Sequence, residues 1–218
     1  DDMVYDLGCG DGRLVIGAAQ KFGARGVGFD IDPDRIKECL ENAEKAAVTD
    51  KVKFILGDLF EADFREATVM PMYLLTSVNL KLRPKILREL RPGSRAVSHN
   101  FGMDNWKPDE QTIVHVEEVP HDVYLWIVPA NVSGSWSWSL ANGAAPMEFK
   151  LQVAQKFQFP EGKVWLDGVG AEVEDMRLQG DKISFRVETT AGKRKASLTF
   201  EGKAFLHEIS GLAKGKVD

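Results

Sequence analysis

The chain has 218 residues, of which 44% are hydrophobic and 28% are charged, and its formal net charge is −5 at pH 7. Length and composition predict a globular protein with one large domain or two small ones. No apolar run approaches 18 residues, which argues against a membrane-spanning protein. The net negative charge argues against a protein that binds duplex nucleic acid through a strongly basic surface.

Residues 1–130 alternate short apolar runs with helical patterns. The predicted strands are Met3–Leu7, Gly26–Asp30, Val52–Leu56, Ala67–Leu74 and Arg95–Ser98, then a hairpin of Thr112–Val119 and Val123–Val128. The predicted helices are Arg13–Phe22, Asp34–Ala47 (with Asp32 or Asp34 as N-cap) and Lys81–Leu90. This alternation predicts an α/β fold: a Rossmann-like, mostly parallel seven-stranded sheet with helices on both faces.

Residues 131–218 have a different pattern, in which apolar and polar residues alternate along six or seven runs. Turn signals separate the runs, among them Asn142-Gly143, Asp167-Gly168 and Ala191-Gly192. We therefore expect a second, small antiparallel all-β domain, a barrel or a sandwich, with the boundary near Pro129–Ser133.

The most informative segment is the glycine-rich turn between the first strand and the first helix. In Asp6-Leu7-Gly8-Cys9-Gly10-Asp11-Gly12-Arg13, a small residue at Gly8 permits a sharp turn and Gly10 lets a ligand approach the backbone. A dinucleotide-binding fingerprint would have Gly or Ala at position 13, where Arg13 stands. The turn thus fits a ligand whose anionic part is a single amino-acid carboxylate at a helix N-terminus.

Two acidic residues follow the next strands. Asp30 ends the second strand, where its carboxylate can accept hydrogen bonds from both ribose hydroxyls. Asp58 follows the third strand and can accept from an adenine amino group, while Leu59 or Phe60 packs on the ring. Because parallel strands end at one edge of a sheet, the turn and both acids are expected in one crevice.

Beyond the turn, a run of short motifs supports a narrower resemblance. They are Glu66-Ala67-Thr68, Leu74-Leu75-Thr76, Val78-Asn79, Leu82, Pro84-Lys85, Glu89-Leu90, Pro92-Gly93, Val97-Ser98-His99 and Val123-Tyr124-Leu125. With these residues the chain resembles the class I methyltransferases, and in particular the seven-β-strand archaeal protein-lysine methyltransferases and their bacterial relatives. The resemblance covers residues 1–128 and leaves the second domain unexplained.

The resemblance implies S-adenosyl-L-methionine as cofactor. The residues that it assigns to cofactor binding are Asp6, Gly8, Gly10, Asp11, Arg13, Asp30, Ile31, Asp58, Leu59 and Met70. Members of the family have a helical segment before the first strand that covers the cofactor. This chain starts at the strand, so we expect that covering segment to be missing.

The acceptor pocket is expected at the ends of the fourth and fifth strands, with Tyr73, His99 and Asn100 as candidate catalytic residues and Trp106 as a candidate lid. Tyr73 would line the methyl channel. His99 is a candidate general base, although a buried histidine that orients the loop is the favoured interpretation. Met70 stands where a base amino-methyltransferase would carry Asp or Asn, which argues against a nucleobase acceptor.

We therefore predict an S-adenosylmethionine-dependent N-methyltransferase that acts on protein lysine. Two alternatives stay open: the methyl acceptor is a small or lipid amine, or the protein binds the cofactor without catalysing a reaction. Trp136, Trp138 and Trp165 could form a ligand pocket in the second domain, although the core of a small barrel is the favoured interpretation. Two cysteines without a CxxC pair indicate reduced thiols and no zinc; with no secretory leader in the sequence, we expect a cytoplasmic protein.

Overall fold

A computed structural model describes residues 2–141, 146–191, 194–205 and 208–217. The chain forms two compact units, Asp1–Val128 and Pro129–Asp218. The predicted turns at Asn142-Gly143 and at Gly192 lie outside the described residues.

The first unit is built on a seven-stranded, mostly parallel sheet. Its elements are β1 Met3–Leu7, α1 Arg13–Phe22, β2 Arg25–Asp30, α2 Pro33–Lys45, β3 Val52–Leu56, β4 Val69–Met72, α3 Thr76–Glu89, β5 Arg95–His99, β6 Glu110–Val116 and β7 Val119–Ile127. The strand order is β3-β2-β1-β4-β5-β7-β6. Only β7 runs antiparallel to its neighbours β5 and β6. The order reverses direction between β1 and β4, so a crevice is expected at the carboxyl ends of these two strands.

Helix α1 and helix α2 have local capping residues, of which the sequence analysis predicted the N-cap of α2. Helix α1 ends at Gly23, which has φ 69° and donates its N–H to the carbonyl of Ala19. Helix α2 is capped by Asp32, whose side chain accepts a hydrogen bond from the N–H of Asp34. Both helices pack on β2 and β3.

Helix α3 begins five residues earlier than the predicted start at Lys81, and the reason is a tertiary contact. Asn79 is completely buried. Its Nδ2 donates to the Oγ of Ser98 at 3.2 Å and to the carbonyl of Phe101 at 3.1 Å. These partners lie at the end of β5, so the first turn of α3 is held by a strand that the local sequence pattern cannot reveal.

The second unit is a single antiparallel meander. Its strands are β8 Gly134–Leu140, β9 Met147–Lys156, β10 Phe159–Leu166, β11 Val169–Gln179, β12 Lys182–Ala191, β13 Arg194–Phe205 and β14 Glu208–Val217. Each strand pairs with its sequence neighbours, and among the described residues the order runs from β14 to β8 without closing. The expected barrel or sandwich is therefore wrong in detail, because one open sheet replaces both.

This sheet is strongly curled. Strands β8 and β13 are five positions apart, which in a flat sheet would mean about 24 Å. Yet the rings of Trp138 on β8 and Phe200 on β13 have centroids 5.2 Å apart. The sheet thus curves into an open half-barrel around an aromatic core. Trp138 is part of this core, as the favoured interpretation predicted. Trp165 does not join this core, since its neighbours Val164 and Leu166 face inward and are buried.

No helix in the described part of the chain combines the length and the apolar character needed to cross a membrane.

Candidate functional site

The glycine turn follows β1 and adopts a backbone that L side chains rarely take. Gly8, Gly10 and Gly12 have φ values of 83°, 55° and 79°. The N–H groups of Gly8 and Cys9 both donate to the carbonyl of Phe29, at 2.8 and 2.9 Å, which holds the turn against β2. A Cβ at Gly10 would meet nothing within 4 Å, so the backbone at this point is open to a ligand.

Asp30 anchors the turn from the end of β2. Its Oδ2 accepts the N–H of Gly10 at 2.9 Å, and its Oδ1 accepts the N–H of Asp32 at 3.0 Å. The carboxylate is half-buried, and it lies at the same end of the sheet as the glycine turn. It therefore fixes the turn and still presents oxygen lone pairs to a ligand.

A cleft of about 690 Å³ opens beside the turn. It joins the turn to the ends of β4 and β5 and to one residue of β7. The lining residues are Asp6, Gly8, Cys9, Gly10, Asp11, Arg13, Leu14, Arg35, Pro71, Met72, Tyr73, Val97, His99 and Val123. The cleft thus brings together seven of the thirteen residues predicted from the sequence, from both the cofactor and the acceptor set.

Four predicted cofactor residues do not line the cleft. Asp30 ends β2 and the exposed Ile31 follows it, while Asp58 and the half-buried Leu59 follow β3. Leu59 lies beside the turn, with its Cδ2 4.0 Å from the position of a Cβ on Gly8. Met70, by contrast, is completely buried in β4, so the structure does not support it as a cofactor contact.

Asp6 is the most perturbed carboxyl group of the cleft. It is 3% exposed and lies in the buried part of β1, next to the completely buried Leu7 that ends the strand. Burial, reinforced by the negative charges of Asp30 and Asp11, raises the pKa of Asp6 to about 7. A cationic group in the cleft would counter all three effects, so the site electrostatically favours a positively charged ligand group next to Asp6.

Asp11 and the two cysteines complete the surroundings of the turn. The Arg13 guanidinium binds both oxygens of Asp11 and lowers the pKa of that carboxyl group. The Sγ atoms of the buried Cys9 and Cys39 are 3.8 Å apart, and burial raises the pKa of the Cys9 thiol. This is the behaviour of inert, reduced thiols.

Three aromatic rings stack at the end of the cleft that β4 and β5 form. Tyr73 is 69% exposed, and its ring centroid lies 4.9 Å from that of His99. His99 stacks in turn on His121 at 4.9 Å, and its Nε2 lies 2.8 Å from the Nδ1 of His121. The Nδ1 of His99 is buried without a hydrogen-bond partner in the described structure. The imidazole ring of His99 thus stacks on both Tyr73 and His121. This packing favours a histidine that orients its neighbours over one that acts as a general base.

Asn100 and Trp106 do not line the cleft. Asn100 has φ 59°, and its Oδ1 accepts the N–H of Asp122, so it shapes the turn that follows β5. Trp106 is fully buried, and its ring centroid lies 5.9 Å from that of Trp126. The backbone carbonyl of Trp106 accepts a hydrogen bond from the indole N–H of Trp126. The lid role expected for Trp106 is therefore wrong, because a fully buried core residue cannot open and close over a ligand.

His121 contacts His99 without any local signal in the sequence. It lies on β7, and its contact with His99 depends on the antiparallel pairing of β5 with β7, in which His99 is opposite Val123. Arg35 and Leu14 also line the cleft from the helices that follow β2 and β1. No local pattern marks these residues. In the described part of the chain, His, Cys, Asp and Glu form no cluster of three or more that could hold a metal ion.

Comparison with known proteins gives one family match and several relatives. The model of the ANTKMT methyltransferase domain matches residues 6–110. A protein-lysine N-methyltransferase of Saccharolobus islandicus (strain REY15A) is 48% identical over 129 residues, which are 59% of this chain and 80% of that protein. The adenine nucleotide translocase lysine N-methyltransferase of Mus musculus is 32% identical over 106 residues, which are 48% of this chain and only 46% of that protein.

One solved structure is also similar in sequence. It is described as an RNA methyltransferase from Salinibacter ruber in complex with S-adenosyl-L-homocysteine. The identity is 53% and the TM-score 0.56, and the match covers 60% of this chain and 83% of that chain.

Proposed function

The chain belongs to the same methyltransferase family as the archaeal protein-lysine N-methyltransferase, and we propose that it methylates the ε-amino group of a protein lysine with S-adenosylmethionine. The observation that carries this proposal is the continuous cleft from the glycine turn to Tyr73 and His99. One end of the cleft has the groups that suit an amino-acid nucleoside, and the other has an aromatic wall.

The residues present fit the cofactor. The open backbone at Gly10 can be approached by a carboxylate, and the buried carboxyl of Asp6 suits the ammonium group of the methionine part. Asp30 and Asp58 at the ends of β2 and β3 would accept from the ribose and the adenine. When bound, S-adenosylmethionine supplies an activated methyl group on a sulfonium centre.

The acceptor end suits an amine that must arrive uncharged. At a reference pKa near 10.4, removing the proton from a lysine ammonium costs roughly 5 kcal/mol at pH 7. Pro71, Val97 and Val123 give this end of the cleft an apolar lining, and Tyr73 adds an aromatic face. Such walls exclude water and disfavour the charged ammonium. Desolvation therefore lowers the pKa of the lysine and reduces the free energy needed to deprotonate it.

Tyr73 lines the channel in this proposal, and His99 positions it. The ring of Tyr73 stacks on His99, which in turn contacts His121, and this stacking would orient the exposed Tyr73 side chain. Alignment of donor and acceptor is the main contribution that a protein makes to transfer of an already activated group. Asn100 contributes through the turn that carries His99.

RNA is the competing acceptor, because the Salinibacter protein at 53% identity is described as an RNA methyltransferase. Two features disfavour it. Residues 1–130 carry 16 Lys and Arg against 22 Asp and Glu, whereas RNA-binding proteins present a basic surface. In addition, Met70-Pro71-Met72-Tyr73 has no side chain that accepts from a nucleobase amine at its first position.

Radiolabel transfer separates these acceptors. The protein is incubated with tritiated S-adenosylmethionine and a cell lysate, and equal samples are then treated with protease, with ribonuclease or by organic extraction. The lysine proposal expects label that protease releases and that amino-acid analysis identifies as methylated lysine. Label lost only to ribonuclease, or found only in the organic phase as for a small or lipid amine, would refute it.

The proposal includes three further assignments. The half-barrel unit would hold the protein substrate or a partner protein. The helices of the first unit would cover both faces of its sheet, and the protein would act in the cytoplasm. The sheet topology supports helices on both faces. The chain moves from β1 through β2 to β3 toward one edge of the sheet and from β4 to β5 toward the other edge. Because crossovers between parallel strands are right-handed, this reversal would put the connecting helices on opposite faces.

A further inference from the structure

The hairpin of β6 and β7, at one edge of the first sheet, has one face on the same side of the sheet as the cleft. His99 and Val123 both line the cleft, and they are opposite each other in the pairing of β5 with β7. Residues directly opposite each other share a face of the sheet, as do residues two positions apart along a strand. Val119 and His121 therefore lie on the cleft side of β7.

Valine side chains cover the outer part of this face. Thr112 is opposite Val123 and Val116 is opposite Val119, so the alternation of β6 puts Val114 on the same face as these residues. Val114, Val116 and Val119 are 46%, 55% and 54% exposed. The three valines form a contiguous apolar patch that continues the cleft wall at Val123. A contiguous apolar patch, unlike a single exposed apolar residue, indicates an interaction site.

The tip of the hairpin is acidic. Glu117 and Glu118 connect β6 to β7, and both are exposed. The chain has no Lys or Arg between Lys107 and Lys150, whereas residues 110–127 include four Asp or Glu. A partner that covers the valines would therefore meet negative charge at the tip. Charge complementarity favours a partner with a Lys or Arg side chain at that point.

The length of the hairpin sets the spacing that a partner must have. Val119 is four residues from Val123, which corresponds to about 13 Å along the strand. An extended polypeptide has nearly the same rise per residue, and its side chains face one way at every second position. In a segment that lies along the hairpin, a residue at the cleft would be followed by one over the valines two positions away and by one at the tip four positions away.

We propose that the cleft side of this hairpin docks the segment of the protein substrate next to the target lysine. The segment would lie extended, with an aliphatic side chain two positions from the lysine on the valines and a basic side chain about four positions from it at the acidic tip. This inference rests on the proposed lysine methylation, and it names the preferred substrate: a lysine with these two neighbours, and not every exposed lysine.

Calorimetric titration of the full chain with three peptides, in the presence of S-adenosylhomocysteine, tests the proposal. The parent peptide has nine residues and blocked ends, with Lys at the centre, Val two positions away on each side, Arg four positions away on each side, and Ala elsewhere. Its symmetry allows either direction along the hairpin. A second peptide has Gln in place of Arg, and a third has Ser in place of Val.

Two double variants address the two parts of the surface. Glu117→Asn with Glu118→Gly removes both charges and keeps the turn, because these residues have φ 48° and 66° and an Asn-Gly pair favours such values. Val114→Thr with Val116→Thr replaces apolar methyl groups and keeps β-branched side chains. The matched control is Ile113→Thr, which makes a similar change on the opposite face of the same strand, at a side chain that is 56% exposed.

The parent peptide should bind the wild type and Ile113→Thr equally. The turn variant should weaken its binding by about twofold to thirtyfold, the range for two exposed ion pairs, and should not change the affinity for the Gln peptide. The valine variant should weaken binding of the parent by about twofold to tenfold and should not change the affinity for the Ser peptide. Equal affinity of the wild type for all three peptides, or no detectable binding of the parent, would overturn the proposal.

Two parallel measurements keep this proposal separate from others. Methyl transfer to the parent peptide tests the lysine acceptor alone: a peptide that binds as expected but is not methylated would contradict lysine methylation and leave the docking surface. Sedimentation tests a second copy of the chain as the occupant. A wild-type dimer that the valine variant abolishes and Ile113→Thr keeps would assign the face to self-association and overturn substrate docking.

Discussion

Gly10 donates its backbone N–H to the Oδ2 of Asp30 over 2.9 Å, across 20 residues of sequence. One carboxylate thus shapes the glycine turn and stands next to the cleft that the turn helps to form. The ribose contact proposed for Asp30 would couple the structure of the turn to cofactor binding, and the two effects can be separated by experiment.

Replacement of Asp30 by Ala should affect both properties. Loss of the two hydrogen bonds to Gly10 and Asp32 is expected to lower the free energy of unfolding by about 1–3 kcal/mol. Loss of the ribose acceptor should raise the Kd for S-adenosylhomocysteine at least about tenfold, measured by calorimetry. Asp32→Ala is the matched control, since it removes only the N-cap of α2, at about 1 kcal/mol. An unchanged Kd in Asp30→Ala would contradict the ribose assignment.

Asp6 should make the stability of the ligand-free protein depend on pH. Its pKa is about 7 in the folded protein against 3.8 in the unfolded chain, so the folded state binds more protons between these values. The free energy of unfolding should therefore fall as pH rises from 4 to 7, by up to about 4 kcal/mol, and not recover above 7. In Asp6→Asn this contribution should vanish. Urea unfolding at pH 5 and pH 8 measures the difference between the two proteins.

The same group should link cofactor binding to proton release. A cofactor ammonium next to Asp6 would favour its carboxylate, so the affinity for S-adenosylhomocysteine should increase from pH 6 to pH 8. Near pH 7 the binding enthalpy should differ between buffers of different ionisation heat, with part of a proton released. Asp6→Asn should bind more weakly and show no buffer dependence. A wild type without buffer dependence would argue against contact between Asp6 and the ammonium.

Gly10 and Gly12 form a matched pair of turn glycines. A Cβ at Gly12 would come within 2.9 Å of the Phe54 ring and 3.1 Å of the Cys39 Sγ, so Gly12→Ala should destabilise the fold by about 2–4 kcal/mol. Gly10→Ala meets no atom within 4 Å and should cost only about 1 kcal/mol. Its methyl group would instead enter the cleft and weaken cofactor binding. Equal stability loss in both variants would show that Gly10 is as enclosed as Gly12.

His121 should act on transfer through His99. We expect His121→Phe to lower kcat by on the order of tenfold to a hundredfold, because His99 and Tyr73 lose their fixed orientation. The Kd for S-adenosylhomocysteine should not change, since His121 does not line the cleft. His115→Phe, on the exposed strand β6, is the control and should be neutral. A loss of cofactor affinity equal to the loss in kcat would indicate a general structural role instead.

The sequence by itself predicted most strands and helices of the first unit and the glycine turn that lines the cleft. Apolar periodicity, the N-cap at Asp32 and the glycines of the turn are local signals, and strands β1, β2 and β3 lie where these signals predict. The acids at the ends of β2 and β3 lie at one edge of the sheet because parallel strands end there, although neither acid lines the cleft. Each of these predictions depends only on residues that belong to one strand, one helix or one strand–helix–strand unit.

Only the tertiary structure decided which side chains meet across strands. The pairing of β5 with β7 brings His121 to His99, and burial removes Met70 and Trp106 from the site. The curl of the second sheet sets Trp138 against Phe200 and produces an open half-barrel. The physical reason is that strand pairing and sheet curvature depend on packing between residues far apart in sequence, for which a local pattern carries no information.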